Sequence, residues 1–203
     1  PIAASLIKEP HYWFEYSIFN HDTPATHVAV PEKVDDKVGK AWAEGIADIK
    51  DVYEKGFFTE NTNTCEADEA FQGFLQDKAA FYVDGSWKMG GIRDNAENID
   101  NFTVTFVPGQ NERKTTDIIS GLSSGWYISE KQKAAVDLVE YFINTETVSD
   151  FAGTATTSLK DGAQIDESKL NSLEKDALTM LKSVTATSGA CQDLCTEDQR
   201  API

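Results

Sequence analysis

The chain has 203 residues, 40% hydrophobic and 26% charged, the balance of a folded chain with a real core rather than of disorder. Its 34 acidic residues outweigh 18 basic ones, for a net charge of -16. Such a surface repels phosphate backbones and anionic lipid heads, which argues against nucleic acid or a membrane surface as a partner.

Taken in order, the sequence first shows an aromatic segment behind Pro10. Tyr12, Tyr16 and Phe19 keep helical spacing, while Trp13 and Phe14 fall on other faces. These five rings cannot all reach one core, so the expectation is that some lie bare or line a ligand cleft. Asp22-Thr23-Pro24 ends the helix, and a polar stretch to Pro31 reads as a loop. The clearest helix runs from about Asp35 to Glu54. Val38, Trp42, Ile46, Ile49, Val52 and Tyr53 form its apolar stripe, and Gly56 stands where a C-terminal cap belongs.

Thr59 to Asp68 reads as a solvated acidic loop, because the regular Asp-x-Asp-x-Asp-Gly order of a calcium loop is missing. Glu66, Ala70, Phe71, Phe74 and Leu75 then predict a short helix. Ala79-Ala80-Phe81-Tyr82-Val83 follows as a buried strand, broken by Asp84-Gly85 and a projecting Trp87. Arg93 to Asn101 is polar. Phe102, Val104 and Phe106 alternate as a strand, Pro108-Gly109 turns it, and Asp117-Ile118-Ile119 begins another strand.

Ser129 with Gln132 has the spacing of a capping box for a helix carrying Ala135, Val136, Val139, Phe142 and Ile143. A short helix from Thr145 to Phe151 and a last one from about Asp166 to Val184 complete the pattern. The chain opens at Pro1 without a Met, and no apolar run is long enough to span a bilayer. Both ends look cut. The expectation is a fragment, in which a missing signal peptide is no argument against export.

Three cysteines leave at least one unpaired. Cys191 and Cys195 stand four apart, near the edge of disulfide geometry, and without the paired Cys-x-x-Cys of a zinc site. Those two read as small apolar residues, the state of Cys65 stays open, and no metal or cofactor is expected. Gly121-Leu122-Ser123-Ser124-Gly125 spells the nucleophile elbow, G-x-S-x-G. The mechanism needs a helix directly after the Ser and a His later in the chain. Trp126-Tyr127-Ile128 reads on as a strand, and His11, His21 and His27 all precede Ser123, so a hydrolase triad is not expected.

The unit of helix, polar turn, strand and projecting Trp resembles the sugar-binding extracellular solute-binding proteins of ABC importers. Their motif reads roughly F-x-x-G-x-A-A-[MF]-x-x-x-G-x-W. This chain offers Phe74, Ala79-Ala80-Phe81, Gly85 and Trp87, with Lys78 where Gly is usual. The helix ending Lys55-Gly56-Phe57-Phe58, the Pro108-Gly109 turn, Ile128-Ser129 and the helix ending Val139-Glu140-Tyr141-Phe142-Ile143 are similar too. The resemblance covers roughly Asp35 to Val184 and matches the later half of the family's usual chain.

That resemblance implies an α/β, periplasmic-binding-protein-like type II two-lobed fold, incomplete here. Residues 1–101 would be part of one lobe, 102–165 part of the other, and 166–203 a return to the first. It implies capture of a small-molecule solute, most plainly a carbohydrate, in a cleft closed by a hinge. The partners would be the membrane permease subunits of the transporter. The location would be extracytoplasmic, as a cell-surface lipoprotein or a periplasmic protein. The candidate ligand residues are Trp87, Asp84, Ser120, Gly121, Trp13 and Tyr12. An indole covers the C–H face of a pyranose, a carboxylate bonds its hydroxyls, and a run of small residues lets the main chain approach.

Two rivals stay open: a glycoside-processing enzyme, and an interaction module anchored by Trp13 and Trp87. An enzyme would turn over chromogenic glycosides, a binding protein would only gain thermal stability with sugar, and an interaction module would do neither. The surplus N-terminal rings also lead to an expectation of self-association of the fragment.

Overall fold

The computed structural model of the chain describes residues 1–120, 128–129, 132–151, 164–190 and 193. It divides into two compact units. The first comprises Pro1–Asp84, Phe106–Gly121 and Ser183–Ile203, and the second Gly85–Thr105 and Leu122–Lys182.

In the first unit, strand β1 (Ile2–Ala3) runs parallel to β2 (Phe81–Tyr82), with Ile2 opposite Phe81. On its other side Ile2 donates to the carbonyl of Phe57 at 2.8 Å and accepts from the amide of Thr59 at 3.0 Å. β1 is therefore central, and Ala3 and Ala4 are buried. Parallel neighbours need a crossover, and helices α1 (Pro10–Phe19), α2 (Lys37–Glu54) and α3 (Ala67–Leu75) lie in the chain between β1 and β2. The second sheet pairs β3 (Asp117–Ile119) with β4 (Ala186–Ser188), again in parallel. In chain order, most of the second unit falls between β3 and β4.

Helix α1 starts on Pro10, whose missing N–H costs nothing in a first turn. Its rings are covered, contrary to the expectation of bare aromatics. Trp13 meets Phe58 edge-on at 5.2 Å, Phe14 meets Trp42 edge-on at 5.2 Å, and Phe19 lies 4.7 Å from the ring of the fully buried His27. Rings on several faces of the helix thus each have a partner, as does its buried Glu15, 3.5 Å from His27, and self-association through α1 loses its stated basis.

Helix α2 is capped by Asp36, whose carboxylate accepts from the amide of Gly39 at 2.7 Å. That bond, with a second from the Lys33 amide, holds the Asp36 carboxyl below its ordinary value. At its far end Gly56 takes φ +71°, the left-handed conformation that glycine tolerates best. The expected stripe is rotated. Ile46 and Tyr53 are exposed, and Gly39, Ala41 and Gly45 are buried instead. A Cβ on Gly45 would lie 2.7 Å from the backbone N of Ile18, so α1 crosses α2 where small residues let the backbones close. His21, just past α1, ties the two together through Asp48 at 2.7 Å and Glu44 at 3.0 Å.

The second unit contains α4 (Lys88–Asn95), α5 (Lys133–Phe142), α6 (Thr145–Phe151) and α7 (Ser172–Lys182). Met89, Ile92, Leu170, Leu173 and Ala177 are its buried apolar residues among those described. Helix α7 opens with a reciprocal cap, Asn171 bonding the amide of Glu174 at 2.9 Å and Glu174 bonding that of Asn171 at 3.0 Å. Arg93 of α4 approaches the same carboxylate at 3.5 Å.

Several expectations from the sequence are corrected here. Phe102 to Val107 pairs with no strand among the described residues, although its exposure alternates. Helix α4 runs on into the start of the stretch from Arg93 to Asn101 read as polar, ending at Asn95. Helix α5 starts at Lys133 with Gln132 flanking it, not at a capping box on Ser129. The last helix stops at Lys182, and the chain straightens into β4 because β3 offers a parallel edge. Phe81, read as buried, is 60% exposed. Gly121, Ser123, Trp126, Cys191 and Cys195 lie outside the described residues.

Candidate functional site

Two of the first unit's candidate residues, Asp84 and Tyr12, lie near one another at the end of β2. Side chains two apart on an extended segment point the same way, which aims Tyr82 and Asp84 together. The Tyr82 hydroxyl donates to Asp84 Oδ2 at 2.7 Å. Behind it the Tyr82 ring stacks on Phe74 at 5.6 Å, inclined 23°, and touches Phe71 at 5.6 Å. Helix α3 thus holds the phenol, and the phenol holds the carboxylate.

Tyr12 of α1 belongs to the same neighbourhood. Burial, and then the charges of Asp84, Glu9 and Glu15, push its phenol up to about 12. Burial, and then the Asp84 hydrogen bond, push Tyr82 well above the phenolic range, with Glu9 and Tyr12 adding to it. Both hydroxyls therefore keep their protons at any physiological pH. The arrangement presents a carboxylate held by one half-buried phenol with a second within reach of its charge, suited to a ligand rich in hydroxyl groups.

Trp87 stands three residues beyond Asp84, at the residue preceding α4, and is 55% exposed. Its ring folds back over Gly85 so closely that a Cβ there would lie 2.2 Å from two ring atoms. Gly85 is thus required by contact, and the flat of the indole is set by the turn. Ser120, exposed, follows β3 directly and donates its amide to the carbonyl of Ser188 at 2.8 Å.

Trp13 is directed elsewhere, against Phe58. With Tyr16, Asn20, Ile49, Val52 and Pro108 it lines a hollow of about 200 Å³ in the first unit. A more apolar hollow of about 330 Å³, lined by Pro31, Val34, Trp42 and Ile46, contains none of the candidate residues.

Sequence reasoning passed over Tyr82 as a strand residue. The signal that would have found it is its position two before Asp84. Glu9, at the cap of α1, carried no such signal. Among the described residues no group of three His, Cys, Asp or Glu could hold a metal ion. No described helix is long and apolar enough to cross a membrane.

The first unit thus holds two phenols and a carboxylate near the end of β2, and the second carries an exposed indole a few residues further along the chain. The chain belongs to the bacterial extracellular solute-binding protein family, whose model matches residues 12–171 and so includes Tyr12, Tyr82, Asp84 and Trp87. Among solved structures it is similar to a chitin oligosaccharide binding protein, with a TM-score of 0.71 and 21% identity. The match covers 97% of this chain and 51% of that one, so this chain spans about half the length of its structural relative and shares its fold there. No curated protein matches the sequence.

Proposed function

We propose that this chain is the solute-recognising part of the substrate-binding component of an ABC importer, and that its solute is an oligosaccharide. The observation that carries the reading is the turn from Tyr82 to Trp87. There a phenol-fixed carboxylate and an exposed indole follow each other within six residues of a family-matched stretch. The indole would cover the C–H face of one sugar ring. Asp84 and the hydroxyls of Tyr12 and Tyr82, in the first unit, would bond hydroxyl groups of the solute. Ser120 and the Gly121 that follows it are assigned a main-chain approach to the solute. Trp13, packed on Phe58 and lining its own hollow, is given no contact with this solute.

The name of the structural relative favours β-linked N-acetylglucosamine oligomers as the first solutes to try. Capture proceeds without bond cleavage, and delivery is to membrane permease subunits outside the cytoplasm, from a lipid-anchored or a free form. Calorimetric titration of the intact protein with such oligomers tests this, with chromogenic glycosides as the control for turnover. Trp87→Ala is expected to leave the fold intact and weaken binding by about 1–3 kcal/mol, taking base–aromatic stacking as the nearest analogue. Unchanged affinity refutes the stacking role, and hydrolysis of the glycosides refutes capture without cleavage.

A further inference from the structure

Arg113 is 3% exposed, yet it sits in a turn rather than in a core element. Its Nε donates to Asn20 Oδ1 at 2.9 Å, one terminal nitrogen to the carbonyl of Asp117 at 3.1 Å, and the other to those of Val107 at 3.0 Å and Pro108 at 2.7 Å. The guanidinium lies 5.0 Å from the centre of the Tyr16 ring and 5.7 Å from that of Phe19. One planar fork therefore fastens three things to α1: the stretch at 107–108, the first residue of β3, and the turn between them.

The hydroxyl of Tyr16 reaches the other end of β3, accepting from the amide of Ile119 at 3.4 Å. Ser120 comes next. One helical turn before Tyr16, on the same face of α1, is Tyr12. β3 is fastened on its far side as well, where Asp117 Oδ1 accepts from the hydroxyl of Thr185 at 2.8 Å. Arg113 and Tyr16 thus stand between the two parts of the first unit assigned to the solute, the Tyr12–Asp84 cluster and the end of β3.

We infer that Arg113 is a positioning residue for solute capture: it touches no solute, and holds Ser120 in register with Tyr12 by clamping β3 to α1. The inference rests on the proposed function of those two residues. A lysine cannot replace it, because a single ammonium does not reproduce a fork that donates in separate directions to a side-chain amide and several carbonyls.

The test uses Arg113→Lys in the intact protein, read by amide hydrogen exchange without ligand and by calorimetry with an N-acetylglucosamine trimer. The expected result is faster exchange at Ile119 and Ser120, by about tenfold, with Ile2 and Thr59 in the other sheet unchanged, and trimer affinity lower by about tenfold. Tyr16→Phe, which removes only the hydroxyl that β3 uses, is expected to give the same pattern at about two- to threefold, and decides the matter if the lysine variant does not fold. Equal acceleration in both sheets, or selective acceleration with unchanged affinity, overturns the positioning role while leaving the proposed function standing. A wild-type protein that takes up no oligosaccharide overturns both.

Discussion

The crossing of α1 over α2 makes one chemical change, Gly→Ala, act with opposite signs at two places in the same unit. At Gly73, inside α3, an added Cβ meets nothing within 4 Å. The substitution then brings only the lower chain entropy of Ala, a gain of up to about 1 kcal/mol in a helix. At Gly45 the same atom would lie 2.7 Å from the backbone N of Ile18, 2.9 Å from its Cα and 3.0 Å from its Cγ1. Two of these are backbone atoms that cannot swing away, so α1 and α2 must separate by a few tenths of an ångström over a well-packed interface.

Overpacking of that kind costs about 1–3 kcal/mol. Taking the upper part of that range and subtracting about 1 kcal/mol of helix propensity leaves a net loss of about 1–2 kcal/mol. At roughly 2–4 °C per kcal/mol for a chain of this size, thermal melts followed by circular dichroism separate a raised Tm for Gly73→Ala from a lowered one for Gly45→Ala. A Gly45→Ala protein that melts as high as Gly73→Ala would refute the close approach of the helices. With it would go the explanation of why the buried face of α2 is made of small residues.

Two further outcomes follow from single groups. Because folding raises the phenols of Tyr12 and Tyr82 above their ordinary value of 10.0, their contribution to stability is complete below about pH 10 and is lost as the pH climbs through the folded values. Tyr82→Phe should therefore flatten the fall in stability between about pH 10 and 12, and should remove one late step from the absorbance titration of the tyrosines; an unchanged alkaline limb in denaturant melts would show that Tyr82 is not shielded. In the second unit Glu174→Ala removes half of the reciprocal cap on α7 and should cost about 1 kcal/mol, read as faster amide exchange in the first turn of that helix. Exchange there that does not change would mean that Asn171 caps the helix unaided.

Local chemistry determined a good deal of this protein from the sequence alone. Pro10, Asp36 and Gly56 act within a few residues of themselves, so the start of α1 and both ends of α2 could be read directly. The same holds for α3, α6 and the break at Asp84-Gly85, and Trp87 marks a family motif by position. What only the tertiary structure decided involves residues far apart in the chain. The buried face of α2 turned away from Ile46 and Tyr53 because Ile18 of another helix approaches Gly45.

Cover for the α1 rings comes from Phe58, Trp42 and Arg113, distant residues that no periodicity could name. β4 exists because β3 presents an edge 69 positions earlier, a partnership without a local signal. Of the candidate site, Asp84 and Trp87 were legible as a carboxylate and a ring on a turn. Tyr82 was not, because its role depends on a ring stack with Phe74 that fixes its hydroxyl against Asp84. Arg113 was least legible of all: a cation in a polar turn reads as solvated until the carbonyls that surround it are in place. Spacing along the chain fixes which way a side chain points, whereas its partners are set by the packing of segments that the chain brings back from elsewhere.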